Sequence, residues 1–465
     1  MPSLSTISAT TIRTFGHHLS FSRSIFAELL AQTTVISLIC MSLVAPHFVL
    51  GGDVLWFKAE VVALPLVLLV YVWLLLAGLV GTIRFNGLFL VGALYSISVA
   101  VSIWHGSFLL GQAVIFRDFY EFPKLWLPVI FFTIAYEAKL SEAGLRRLLT
   151  YFGAALVLVC LYAWAQWAGL SFSQWLNNLF SAGEHVQGSL QYARRVYSTM
   201  GNPNLLGQLM TWSITVFLLA IWLHVGSQAR NIFLAVACLI TLAMTGSRYG
   251  LLDTALAFVL AVAVSFGSSR RRLSRLALPP LLFPLFAAAI FFVSSSNQRT
   301  LQRFQTLQNP LTTDSFRQRV DDTWLAAADS FYQSPWLGRG PARTTFEGLI
   351  TDSEFLDVLK KFGVMGFLFY LGYFFVPLWL IRRGMRAAKR AGPDLENRLP
   401  ASFLVMRLAF IMILTALVMN IGMSTFYNLL TQGFLWMWMG LGARSAKSIA
   451  DASQEYFLPF QAGAR

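Results

Sequence analysis

Leu205-Leu-Gly-Gln-Leu-Met-Thr-Trp-Ser-Ile-Thr-Val-Phe-Leu-Leu-Ala-Ile-Trp-Leu223 runs for 19 residues without one charged side chain. A helix of that length covers about 28 Å, roughly the hydrocarbon thickness of a bilayer. Eleven further blocks read the same way, near 27–45, 61–81, 86–104, 121–138, 148–169, 231–246, 248–266, 277–295, 362–381, 404–423 and 425–443. They are continuously apolar and do not alternate, which selects helices over a barrel. The expected fold is an all-α membrane protein with about 12 transmembrane helices and one large extracytoplasmic loop that contains helices.

Composition points the same way. Of 465 residues, 57% are hydrophobic and 12% charged, against about 25% charged in a soluble domain. The formal net charge is +14. Its arginines cluster between apolar blocks and form no stripe with interleaved exposed aromatics, so the excess reflects orientation in the membrane and no nucleic-acid partner is expected. Cys40, Cys160 and Cys238 all fall inside apolar blocks, a placement that argues against a structural disulfide or a zinc site. About the first 24 residues are polar and carry no cleavage pattern, and they read as a cytoplasmic tail.

Orientation follows from Lys and Arg. With the N-terminus inside, Arg84, Lys139, Arg146, Arg147, Arg230, the Arg270–Arg275 group, Arg382 to Arg398, Arg444 and Lys447 all face the cytoplasm. Both termini are then cytoplasmic. The chain divides into a nine-helix N-terminal bundle at 1–295 with an outside loop at 170–204, a large extracytoplasmic loop at 296–361, and C-terminal helices with a cytoplasmic tail at 362–465. Within the large loop, Val320, Trp324, Ala327, Ala328 and Phe331 share one face of a helix expected over Phe316 to Phe331.

Three stretches carry polar residues that a purely structural bundle does not need. Arg194-Arg195 precede Gly201-Asn202-Pro203-Asn204, a turn and helix-start signal with Asn204 as the expected cap. Thr245-Gly-Ser-Arg248-Tyr-Gly250 is a short connection that holds Arg248 at the membrane boundary. There it either snorkels to headgroups or meets an anion. Ser334-Pro-Trp-Leu-Gly338-Arg339-Gly340-Pro341 leads to Thr351-Asp352-Ser-Glu354 at the start of a helix. Asp352 and Glu354 diverge by about 200° in a helix, so only one can face a given site. Each stretch alone also fits a bland reading of caps, solvated charge and helix-dipole compensation. The arginine-derived topology puts all three on one membrane side, an arrangement suited to a diphosphate leaving group and an attacking hydroxyl.

At these residues the sequence resembles the O-antigen ligase and polysaccharide polymerase superfamily of membrane glycosyltransferases. Arg195 with Gly201 to Asn204, the hairpin residues Thr245, Ser247, Arg248 and Gly250, Arg319 with Trp324, and Pro335 with Gly338 and Gly340 carry the likeness. So do Asp352-Ser353, Phe355-Leu356 and the Gly363-Val-Met-Gly366 helix start. The resemblance implies metal-independent, inverting transfer from an undecaprenyl-diphosphate-linked glycan to an acceptor hydroxyl, with no cofactor, in a bacterial inner membrane. Under it Arg195, Arg248, Arg319 and Arg339 hold the diphosphate, Asn202, Asn204, Gly338 and Gly340 shape the site, and Asp352 and Glu354 supply the catalytic carboxylates. Family ligases carry His where this chain has Asp352, which tilts the reading toward a polymerase of surface polysaccharide repeat units, with a chain-length regulator as a further partner. His185 is a remote substitute for that His. A ligase is the alternative. A lipid-linked oligosaccharide flippase or a non-catalytic lipid-binding factor are the rivals, Arg407 and Asp253 being the charges nearest to helix interiors.

Overall fold

The computed structural model describes residues 29–44, 47–49, 56–58, 87–180, 195–265, 319–342, 351–423 and 429–462, with single positions at 69, 190 and 317. The helices are α1 (Leu29–Val44), α2 (Gly87–Phe108), α3 (Glu121–Glu137), α4 (Glu142–Ala168), α5 (Ser171–Phe180), α6 (Pro203–Trp222), α7 (Gln228–Thr245), α8 (Arg248–Ser265), α9 (Leu325–Gln333), α10 (Glu354–Ala391), α11 (Pro393–Arg398), α12 (Pro400–Met419) and α13 (Leu429–Ala462). A three-residue antiparallel ribbon, β1 (His47–Val49) with β2 (Trp56–Lys58), is the one departure from helix among the described regular elements, and it pairs Phe48 with Phe57.

The fold is all-helical and multi-pass. Seven described helices are long and apolar enough to cross a membrane: α2, α4, α6, α7, α8, α10 and α12. The blocks at 27–45, 121–138 and 425–443 are helical as α1, α3 and α13. Those at 61–81 and 277–295 lie outside the described residues, and the count of seven is of the described residues.

α6 is the central helix. Every residue of it from Leu205 to Trp222 is buried, against α7, α8 and α12. Its start is set by Asn202, whose side-chain oxygen accepts from the Asn204 backbone N–H at 2.8 Å, with Pro203 at the first helical position. The cap is therefore Asn202 and not Asn204; the proline favours the residue ahead of it, where the backbone is still extended. Small residues let α6 and α8 approach closely. A Cβ on Gly250 would meet the Gly207 Cα at 3.1 Å, and the Thr211 hydroxyl donates to the Gly250 carbonyl at 3.0 Å. Aromatic residues fill the neighbouring layer, where Trp212 stacks on Phe434 and Phe152 on Phe217.

α10 begins eight residues earlier than its apolar block because Ser353 caps it, accepting from the Leu356 N–H at 3.4 Å. A break at Gly363 (φ 63°, ψ −168°) separates the polar first turns from the apolar remainder. The turn after α9 threads into that break. Gly340 N–H donates to the Lys361 carbonyl at 2.8 Å, and Val364 N–H to the Pro335 carbonyl at 2.8 Å. The helix expected over Phe316–Phe331 is observed from Arg319 to Gln333, its first six residues in a wider π-helical turn.

Several helix ends meet at one pole of the bundle. Val196 N–H donates to Met244 at the end of α7, Glu354 N–H donates to Asn420 just past α12, and His105 near the end of α2 contacts the Gly338 carbonyl at 3.0 Å. At the other pole Glu142 caps α12, accepting from the Ala401 and Ser402 N–H groups at 2.6 and 3.0 Å. Buried Arg407 pairs there with Glu396 at 2.9 Å.

Candidate active site

The α7–α8 connection organises the first pole. Gly246 closes α7 in the left-handed region (φ 57°), and α8 starts two residues later at Arg248. Two hydroxyls tighten the turn: Ser247 N–H donates to Thr245 Oγ1 and Gly250 N–H donates to Ser247 Oγ, each at 3.1 Å.

Arg195 lies along this turn. Its Nε donates to the Thr245 carbonyl and one terminal nitrogen to Asn204 Oδ1, both at 2.9 Å. The same Asn204 oxygen accepts from Ser247 Oγ at 3.2 Å. Arg195, Asn202, Asn204, Thr245 and Ser247 thus form one polar network that joins the α6 start to the α7–α8 turn. The guanidinium is a planar donor fork held in one orientation, the form in which arginine best reads phosphate oxygens.

Arg319 meets both the hairpin and the start of α10. Its Nε pairs with Asp352 Oδ2 at 2.6 Å, one terminal nitrogen donates to the Tyr249 hydroxyl at 2.6 Å, and its carbon lies 5.3 Å from the Tyr249 ring centroid. Arg248 is close enough to feel the charge of Arg319. The Asp352 side chain is 48% exposed and that of Arg319 25%. Asp352 sits immediately before the cap residue of α10, so it points away from the helix core. Glu354 is fully buried beneath it, its backbone tied to Asn420. Asp352 lies ahead of the helix, so the expected helical angle between the two carboxylates does not apply, and it is Asp352 that meets Arg319.

Arg339 reaches Gln112, in the segment after α2. Its backbone N–H donates to Lys360 O at 3.2 Å, and with the Gln112 amide oriented to suit both partners, its Nε and a terminal nitrogen donate to Gln112 at 2.6 and 2.8 Å. It therefore braces the turn after α9 against the segment following α2. Its glycine neighbours shape the same brace. Gly338 (φ 70°) and Gly340 (φ 76°) are both left-handed, and a Cβ on Gly338 would collide with the Lys361 backbone.

Tyr249, His105, Gln112 and Asn420 were not singled out from sequence. Tyr249 sits in the first turn of α8 beside Arg248, so its place near the membrane boundary was legible, though not its partner. The other three come from distant helix ends. Arg194 and His185 lie outside the described residues, as does the side chain of Arg117. In the 117–124 segment Asp118 accepts from Ile115 N–H at 3.0 Å and Lys124 pairs with Glu121 at 3.2 Å. Among the described residues no cluster of three His, Cys, Asp or Glu side chains could hold a metal ion.

Residues 233–371 match the family model described as O-antigen ligase. That stretch holds Arg248, Tyr249, Arg319, Arg339, Asp352 and Glu354, and stops short of Arg195 and Asn204. It supports the O-antigen ligase and polymerase superfamily. No curated protein matches the chain.

Proposed function

We propose, from the O-antigen ligase match and the meeting of Arg195, Arg248, Arg319 and Asp352 at one pole, that the chain polymerises undecaprenyl-diphosphate-linked oligosaccharide repeat units on the extracytoplasmic face of a bacterial inner membrane. The observation that carries the reading is the contact of Arg319 with both Asp352 and Tyr249, which joins the loop, the hairpin and the α10 start. A diphosphate leaving group gains negative charge as the glycosidic C1–O bond breaks. Donors fixed in advance at that charge are the strongest single contribution available to a site without covalent chemistry. Arg195 is held by Asn204 and the Thr245 carbonyl, and Arg248 and Arg319 add two further cations around the same turn.

Asp352 is the acceptor's partner in this reading. Donor diphosphate competes with its carboxylate for Arg319. A half-exposed pair of this kind contributes about 1 kcal/mol or less, so the exchange costs little. Released from Arg319, Asp352 takes the proton of the attacking hydroxyl as the new C1–O bond forms on the face opposite the diphosphate, which inverts the anomeric centre. Arg339 braces the loop in this scheme, and Glu354 anchors the start of α10. Ligase activity, with a different lipid as acceptor, uses the same chemistry; Asp at the position where ligases carry His favours polymerisation.

Reconstitution with purified lipid-linked repeat units and a chelator tests the reading. A ladder of products, abolished by Asp352→Asn and by Arg248→Ala, supports polymerisation without a metal. A single addition to a second lipid makes the protein a ligase. Lipid movement across the bilayer with no new glycosidic bond makes it a flippase, and donor binding alone leaves a lipid-binding factor.

A further inference from the structure

The opposite pole holds a cavity of about 1070 Å³ between α10 and α13. Twenty residues separate Gly363 from Arg383, about 30 Å of helix, so this cavity lies roughly a hydrocarbon thickness from Asp352. Its walls follow helical spacing on both sides. Trp379, Arg383, Arg386 and Arg390 form one face of α10, and Ala443, Lys447, Ala450 and Gln454 form the facing stripe of α13. Gly384 allows this approach, because a Cβ there would meet the Ala446 carbonyl at 2.7 Å.

Four cations line the cavity against a single carboxylate, Asp451. None of Arg383, Arg386, Arg390 or Lys447 pairs with an acid among the described residues. A largely apolar groove of about 440 Å³ adjoins it, lined by Phe375, Leu378 and Trp379 with Arg382 at its edge, and shared through Trp379 and Arg386. Phe375 and Trp379 are 54% and 57% exposed on the outer face of a membrane-spanning helix. Basic snorkelling residues that only anchor a helix project singly into headgroups. Here three from α10 and one from the facing α13 line a single open cavity that adjoins an apolar groove, the layout of a charged head followed by a chain.

We propose that this cavity binds one anionic phospholipid. Its phosphate sits among Arg383, Arg386, Arg390 and Lys447, and one acyl chain runs past Trp379 along Leu378 and Phe375. The site is at the far end of the molecule from the glycan chemistry and does not depend on that reading.

Native mass spectrometry of the full chain, exchanged into equal phosphatidylglycerol and phosphatidylcholine, tests it. The wild type is expected to keep one phosphatidylglycerol at an activation that strips phosphatidylcholine. Combined Arg383→Gln, Arg386→Gln and Arg390→Gln should reduce that retention at least about 10-fold, as the loss of three phosphate-facing cations requires, with an unchanged Tm in phosphatidylcholine. If the triple variant does not fold, Lys447→Gln on the facing helix gives the same readout. Trp379→Ala should weaken retention with all four cations intact, and inorganic phosphate should not displace the lipid. Equal retention by wild type and the charge variants overturns the proposal. So does displacement by inorganic phosphate combined with indifference to Trp379→Ala, which would make the cavity a free-anion site.

Discussion

Arg319 is the residue at which three separate segments of chain touch, and its replacement distinguishes a structural from a chemical role. Its ion pair with Asp352 is half exposed, so Arg319→Ala should change stability by no more than about 1 kcal/mol. Loss of a charge-stabilising donor should slow glycan transfer by about 100-fold or more. Measuring turnover and Tm on the same preparation separates the two, and a parallel fall in both would reduce Arg319 to a structural tie. Tyr249→Phe keeps the ring beside the guanidinium and removes only the 2.6 Å hydrogen bond. A loss of about 10-fold in rate is expected, in line with one hydrogen bond to a charged group. The sequence marked Arg248, Arg319 and Asp352 individually. That Arg319 pairs with Asp352, and that Arg339 goes to Gln112 instead, could not be read from spacing, because each partner comes from another element.

At the scale of the element, the braced break in α10 is where backbone conformation and packing coincide. Gly338 and Gly111 have similar φ values, 70° and 63°. Gly111 has open space where a Cβ would go, whereas Gly338 faces the Lys361 backbone. Gly111→Ala should therefore cost only the strained φ, about 1 kcal/mol. Gly338→Ala should cost clearly more, about 3 kcal/mol or above, since backbone must shift as well. Thermal unfolding of the two variants side by side checks the order, and equal losses would show that the brace is looser than its contacts. The Gly-x-Gly pattern was legible as a turn. Its docking into a left-handed break 25 residues away was not, because Gly363 read as the start of a helix and is in fact an interruption within one.

For the whole molecule, the separation of the two poles makes a topological prediction. Gln333→Cys at the end of α9 and Lys389→Cys near the end of α10 are both exposed positions. An impermeant maleimide on intact spheroplasts should label the first and spare the second until the membrane is opened; labelling of both, or of the second alone, would falsify the proposed orientation. The existence and approximate place of each described span were fixed by sequence, because burying about 20 uncharged residues in hydrocarbon leaves a backbone no alternative to helix. Composition likewise determined the class of protein, and the order of short polar motifs its likeness to the O-antigen ligase superfamily. Tertiary structure alone decided which polar side chains share a surface: it united Arg195 with Asn204 and Thr245, Arg319 with Asp352 and Tyr249, and Arg339 with Gln112. Hydropathy acts along the chain and is written there, whereas a hydrogen bond between helix ends depends on how far each helix slides and turns against its neighbours, which only the packed bundle sets.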